Sequence, residues 1–244
     1  MKLAYFSGGP ALANERGLVP AGDLAASMQE LIEHFDELRP TLQRRLVDGH
    51  ALPLETIRLL PPIVPGKILC STSTEPLLMT LKSPDAVIGP GDTIVLPETF
   101  DPWEFFPEAE LGLVMRHPGT VFGYTCVIDV MAHGGDPNFG RDNWVAKSDT
   151  LCPIGPWITT ADEVPEPNGL RVRSWHNGLP AQDYSTAAHG VPELVAFATG
   201  VMTLHSGDLI ACGHDPDGAK PMRAGDMVQV EIQSLGRLEV SVGA

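Results

Sequence analysis

Two glutamates, Glu108 and Glu110, stand two apart in FFPEAELGLV (residues 105–114), a segment apolar enough to form a strand. In a strand that spacing turns both carboxylates to one face. Burying two carboxylates side by side is unfavourable unless a cation neutralises them or one keeps its proton. A third acid, Asp129, lies in the apolar run CVIDVM, where an isolated charge is equally costly. The three make an oxygen-rich set suited to Mg²⁺, Mn²⁺ or Ca²⁺. The alternative is a solvated strand face with Asp129 capping a turn, since exposed carboxylates are the norm.

Positioning such a set requires strands, and the chain is punctuated for them. Its 25 Gly and 23 Pro divide 244 residues into short segments, which favours a turn-rich β architecture over a helical bundle. Short β-like runs follow Gly66: residues 67–70, 86–88, 93–96, 109–115 and 121–130. Near the C-terminus, Val228, Val230 and Ile232 alternate with polar residues, and Leu238, Val240 and Val242 repeat the pattern after Leu235-Gly236, as in a β-hairpin. Helical spacing occurs over Asp23–Arg39, with Asp23 as N-cap, and Pro40 breaks that helix or starts the next. A second short helix is expected over Thr41–Val47, ending near Gly49, and another over Pro192–Thr203. The extended stretch LPPIVP (60–65) places a boundary near residue 65, dividing an N-terminal subdomain (1–65) from the remainder (66–244).

Composition narrows the function. With 16 Lys+Arg against 31 Asp+Glu the formal charge is −15, and the basic residues are scattered, which argues against a nucleic-acid binder. Hydrophobic residues at 43% suffice for a real core. No run approaches the roughly 18 apolar residues that span a bilayer, and residues 1–10 lack a basic start followed by an apolar core, so a cytoplasmic protein without membrane contact is expected. Cys70, Cys126, Cys152 and Cys212 are singly spaced and read as free thiols, not nucleophiles. No Gly-x-Gly-x-x-Gly or Gly-x-Ser-x-Gly element occurs.

Several ordered motifs resemble the fumarylacetoacetate hydrolase (FAH) family: KSPDAVIGPGDTIVLP (82–97), FFPEAELGLV, GYTCVIDVMA (123–132), AKSDTLCPIGPWITTADEV (146–164), VMTLHSGDLIACG (201–213) and RAGDMVQVEIQSLGRL (223–238). The segment LIEHFDELRPTLQRRL, followed by LLPPI and GKILC, is similar to the small leading domain common there. The resemblance implies a mainly β fold with some α, a mixed β-roll with a small N-terminal subdomain. It implies Mg²⁺ or Mn²⁺ on Glu108, Glu110 and Asp129, with Lys147 facing the site to pair with a substrate carboxylate or enolate. Without the resemblance, Lys147 reads as a surface lysine. It also implies small 2-oxo acid or β-dicarbonyl substrates and a homodimer or larger assembly. The shared chemistry is a metal-stabilised enolate, common to C–C cleavage, decarboxylation, isomerisation and tautomerisation.

Departures from the family pattern carry equal weight. Hydrolytic members have a lid helix after the KILC-like strand, with a histidine and a glutamate that activate water. Here the chain runs KILCSTSTEPLLMTLKSPD; the lid is cut to residues 71–74, no histidine remains, and Glu75 is the acid left there, a candidate substrate contact. After Asp129 the family arginine is replaced by His133, and the late strand ends Gly213-His214, without the usual threonine. His133 and His214 are candidate replacement acid–base groups or plain polar loop residues. Arg141, in the polar loop 136–142, is a weaker substrate-binding candidate, and Tyr184 and Trp157 read first as packing residues. Three readings stay open: water-independent enolate chemistry (decarboxylation, tautomerisation or rearrangement, in a biosynthetic setting), hydrolytic C–C cleavage, and a non-catalytic binding homologue.

Overall fold

The computed structural model describes residues 1–72, 75–98, 103–134, 144–186, 189–215 and 217–244. The chain opens with three strands, β1 (Lys2–Phe6), β2 (Gly9–Asn14) and β3 (Gly17–Pro20), then helices α1 (Met28–Glu33) and α2 (Phe35–Asp48). Short strands β4 (Leu59–Leu60), β5 (Ile68–Ser71), β6 (Met79–Lys82), β7 (Val87–Ile88) and β8 (Thr93–Val95) lead to two long ones, β9 (Trp103–Arg116) and β10 (Thr120–Gly134). There follow β11 (Cys152–Thr160), β12 (Arg171–His176), β13 (Leu179–Ser185), α3 (Val191–Val201), β14 (Leu209–Ala211), β15 (Met227–Ile232) and β16 (Gly236–Gly243).

Two sheets result, mainly β with few helices, as the resemblance implies. The larger runs β3-β2-β1-β11-β10-β9-β14-β5-β6, with β4 on β1 and β7 on β11; the smaller runs β13-β12-β15-β16-β8. One apolar core lies between the sheets, where Leu111, Leu113, Cys126, Ile128 and Val130 meet Val228, Val230, Leu238 and Val240. A second packs the opposite face of β9 and β10, through Val114 and Val127, against Leu31, Ile32 and Phe35 of the N-terminal helices. Because β9 and β10 are buried on both faces, both cores reach them. The site is built on these two strands.

The N-terminal residues share the larger sheet: Lys2 and Leu3 pair with Thr159 and Ile158 of β11. Two helix expectations need correction. The first helix starts at Met28, not near Asp23, because Ser27 supplies the cap: its side chain accepts from the Glu30 amide at 3.1 Å, and Glu30 accepts from the Ala26 amide at 2.7 Å. Asp23 instead pairs with Arg45 of α2. Pro40 neither breaks nor starts a helix; α2 runs through it and ends at Gly49 as expected. A proline there removes one backbone bond near the helix start, and burial of Phe35 and Leu42 on either side holds the helix together. The C-terminal hairpin and α3, with Pro192 in its first turn, match their expectations within two residues.

Candidate active site

Strands β9 and β10 form a long antiparallel pair in which Asp129 stands directly opposite Glu108. Directly opposed residues project to the same face, and so does Glu110, two residues along. All three carboxylates are buried, Glu108 at 8% exposure, Glu110 at 1% and Asp129 at 2%. The solvated-face alternative therefore fails. Gly112, next on that face, admits the packing of Val127 and Leu209, whose side chains would lie against any Cβ there.

Lys82, at the end of β6, is the only buried lysine or arginine among the described residues. Its ammonium pairs with Asp129 and donates to the carbonyls of Val130 and Leu151, each at 3.0 Å. Burial alone would push its pKa down, but Asp129, together with the nearby sulfurs of Cys70 and Cys152, more than offsets that and holds the ammonium charged above its ordinary range. Sequence reasoning passed over Lys82. The available signal was a lysine closing a short strand immediately before the KSPD turn.

His214 follows β14 and reaches back over the pair. Its Nδ1 lies 3.1 Å from Glu108 Oε2 and 3.6 Å from Glu110 Oε1, and the Gly213 amide donates to Glu110 Oε2 at 2.9 Å. Burial, followed by the charges of Asp129 and Glu110, pushes the Glu108 carboxyl well above the usual range. Burial raises Glu110 too, against the opposing pull of His214 and the Gly213 amide. Three buried carboxylates thus face one buried ammonium. The donor set fits a divalent cation: ligand atoms of Glu108, Glu110 and His214 all lie within 4.8 Å of one another. Asp129, held by Lys82, borders that set.

Lys147 lies in a short 3-10 turn, Trp144–Lys147; its ammonium donates to Thr80 Oγ1 at 2.9 Å, and its charge acts on Glu108. Beside His214 opens a cavity of about 550 Å³, whose lining includes Cys212, Tyr184, Thr186 and His189. The Tyr184 hydroxyl donates to the Ala109 carbonyl, tying the cavity wall to β9. Of the remaining sequence candidates, His133 is not gathered there. His133 is exposed at the end of β10, edge-on to Phe106 with ring centroids 5.0 Å apart. Glu75 stands with His189 and Glu193. Arg141 lies outside the described residues. All four cysteines are free and buried; burial pushes the Cys126 and Cys152 thiols up to about 12, so neither is a nucleophile.

A two-sheet β fold with a buried acidic cluster, and beside it a cavity lined by His214, has the form of a small-molecule site. The particular family follows from comparison. The sequence profile of the fumarylacetoacetate (FAA) hydrolase C-terminal domain matches residues 70–243, and the chain belongs to that family. A crystal structure of maleylpyruvate hydrolase from Sphingobium sp. SYK-6 superposes with a TM-score of 0.88 at 30% identity, covering 100% of this chain and 99% of that one. The same hydrolase in complex with manganese(II) and pyruvate gives 0.87 at 29% identity, with both chains fully covered. The mitochondrial oxaloacetate tautomerase of Xenopus laevis is 30% identical over 251 residues, 88% of this chain and 78% of its own. The chain is an enzyme of this family.

Proposed function

We propose that the protein is a divalent-metal-dependent enzyme acting on a small 2-oxo acid or β-dicarbonyl compound through its enolate. The observation that carries this reading is the surplus of buried carboxylates over buried cations at Glu108, Glu110, Asp129 and Lys82. A Mg²⁺ or Mn²⁺ ion held by Glu108, Glu110 and Asp129 would polarise two substrate oxygens and share the enolate charge. Lys82 fixes the Asp129 carboxylate. Lys147, whose charge already acts on Glu108, offsets the negative charge of substrate. His214, in contact with Glu108 and lining the cavity, is placed to give or take a proton. The manganese and pyruvate bound by the Sphingobium hydrolase support the cofactor and substrate class.

Decarboxylation, tautomerisation or rearrangement is favoured over hydrolysis because the shortened lid carries no histidine to activate water. Hydrolytic C–C cleavage is the rival, and the Sphingobium neighbour is named a hydrolase. The test supplies oxaloacetate, acylpyruvates and larger β-dicarbonyl compounds with Mg²⁺ in ¹⁸O-labelled water. Metal-dependent turnover without solvent oxygen in a newly formed carboxylate is expected. Labelled carboxylate would establish hydrolysis instead, and turnover unaffected by chelation would refute the metal.

A further inference from the structure

We propose a second cation site, separate from the strand cluster, formed by His189, Glu75 and Glu193. Glu75 lies between β5 and β6, His189 two residues before α3, and Glu193 in the first turn of α3. One ligand atom from each lies within 4.8 Å of the others. The Nδ1 of His189 stands 3.7 Å from a Glu193 oxygen and 3.9 Å from a Glu75 oxygen. Those separations exceed a hydrogen bond. They are close to the ligand-to-ligand spacing of about 3.4 Å expected around a tetrahedral Zn²⁺ with bonds near 2.1 Å.

His189 supplies the independent observation. Its residue is 6% exposed, yet neither ring nitrogen makes a hydrogen bond among the described residues: Nδ1 faces the two carboxylates beyond reach, and Nε2 is buried without a partner. An imidazole enclosed in this way is costly unless something binds it. A cation on Nδ1 gives that nitrogen a partner and neutralises the two carboxylates. The same distances weigh against a proton-transfer dyad, which needs Nδ1–H bonded to an orienting carboxylate. One imidazole with two carboxylates suits Zn²⁺ better than Mg²⁺, and three protein ligands leave a position open. Because His189 also lines the cavity beside His214, the bound ion ties the chain after β5 to α3 at the cavity rim.

Zn²⁺ titration by calorimetry on chelator-stripped protein tests the site independently of turnover. Wild type is expected to bind two ions, and the Glu108→Gln/Glu110→Gln variant to keep one. Adding His189→Ala to that variant should abolish the remaining binding, and Glu75→Gln or Glu193→Gln should weaken it at least tenfold. His189→Ala alone should still bind one ion, which shows that the variant is folded. A single ion in wild type with none in the Glu108→Gln/Glu110→Gln variant overturns the proposal. So does His189→Ala that abolishes turnover while two ions remain bound, a result that would make His189 a proton-transfer group.

Discussion

At the residue scale, Lys82 balances part of the acidic cluster, and its removal is predictable. Lys82→Met leaves Asp129 buried with no cation, a change that costs about 3–5 kcal/mol for a broken buried pair. Urea unfolding of the chelated protein should show that loss, and cation affinity should fall as Asp129 loses its orientation. Glu108→Gln acts in the opposite direction. The folded, cation-free protein holds a proton on Glu108 at pH values where the unfolded chain has released it. That contribution is complete below the ordinary carboxylate value of 4.5 and is lost as pH rises through the raised folded value. Calorimetric scans in chelator should therefore show the wild-type Tm falling across this window, with a smaller fall in Glu108→Gln. The same variant should bind Mg²⁺ far more weakly, and wild-type affinity should climb with pH because binding displaces the proton. A Glu108→Gln protein that binds Mg²⁺ like wild type would remove Glu108 from the ligand set.

At the element scale, the alternation of side chains along a strand made the central pair readable. Glu108 and Glu110 at i and i+2 are read from sequence as same-face acids and Asp129 as a third acid in an apolar run, and the β9–β10 register places Asp129 opposite Glu108. Lys82 and His189 escaped because their partners come from distant segments, and periodicity says nothing of contacts between elements. The strands of residues 1–20 carried no clear alternation and are held by pairing to β11 and β4. The start of α1 was misplaced because Asp23 and Ser27 both offer cap chemistry, and Arg45 takes the first. The loop after β14 is held by a close approach at Gly218, where φ is +92° and an added Cβ would lie 2.0 Å from the Ala181 carbonyl oxygen. Nearby, Gln182 donates to the Asp215 carbonyl at 2.7 Å, next to His214. Gly218→Ala should cost about 1–3 kcal/mol in urea unfolding and lower turnover by shifting His214. Unchanged turnover in a destabilised Gly218→Ala protein would separate His214 from proton transfer.

At the scale of the whole molecule, charge and exposed apolar surface pull assembly in opposite directions. No helix among the described residues is long and apolar enough to cross a membrane. Large apolar side chains nevertheless reach solvent on α3, at Phe197 and Val201, and at Leu179 and Met227 of the smaller sheet. Family habit and the prevalence of closed two-fold dimers favour a homodimer, yet two chains of charge −15 repel each other at long range. Salt screens that repulsion, with a Debye length of about 10 Å at 0.1 M and about 3 Å at 1 M, while burial of apolar surface is undiminished. Light scattering should therefore report twice the 26.1 kDa chain mass at micromolar concentration, with a dissociation constant that falls as salt rises. A dimer that dissociates with added salt would place ion pairs, not apolar contacts, at its interface, and a mass of one chain throughout would refute the dimer.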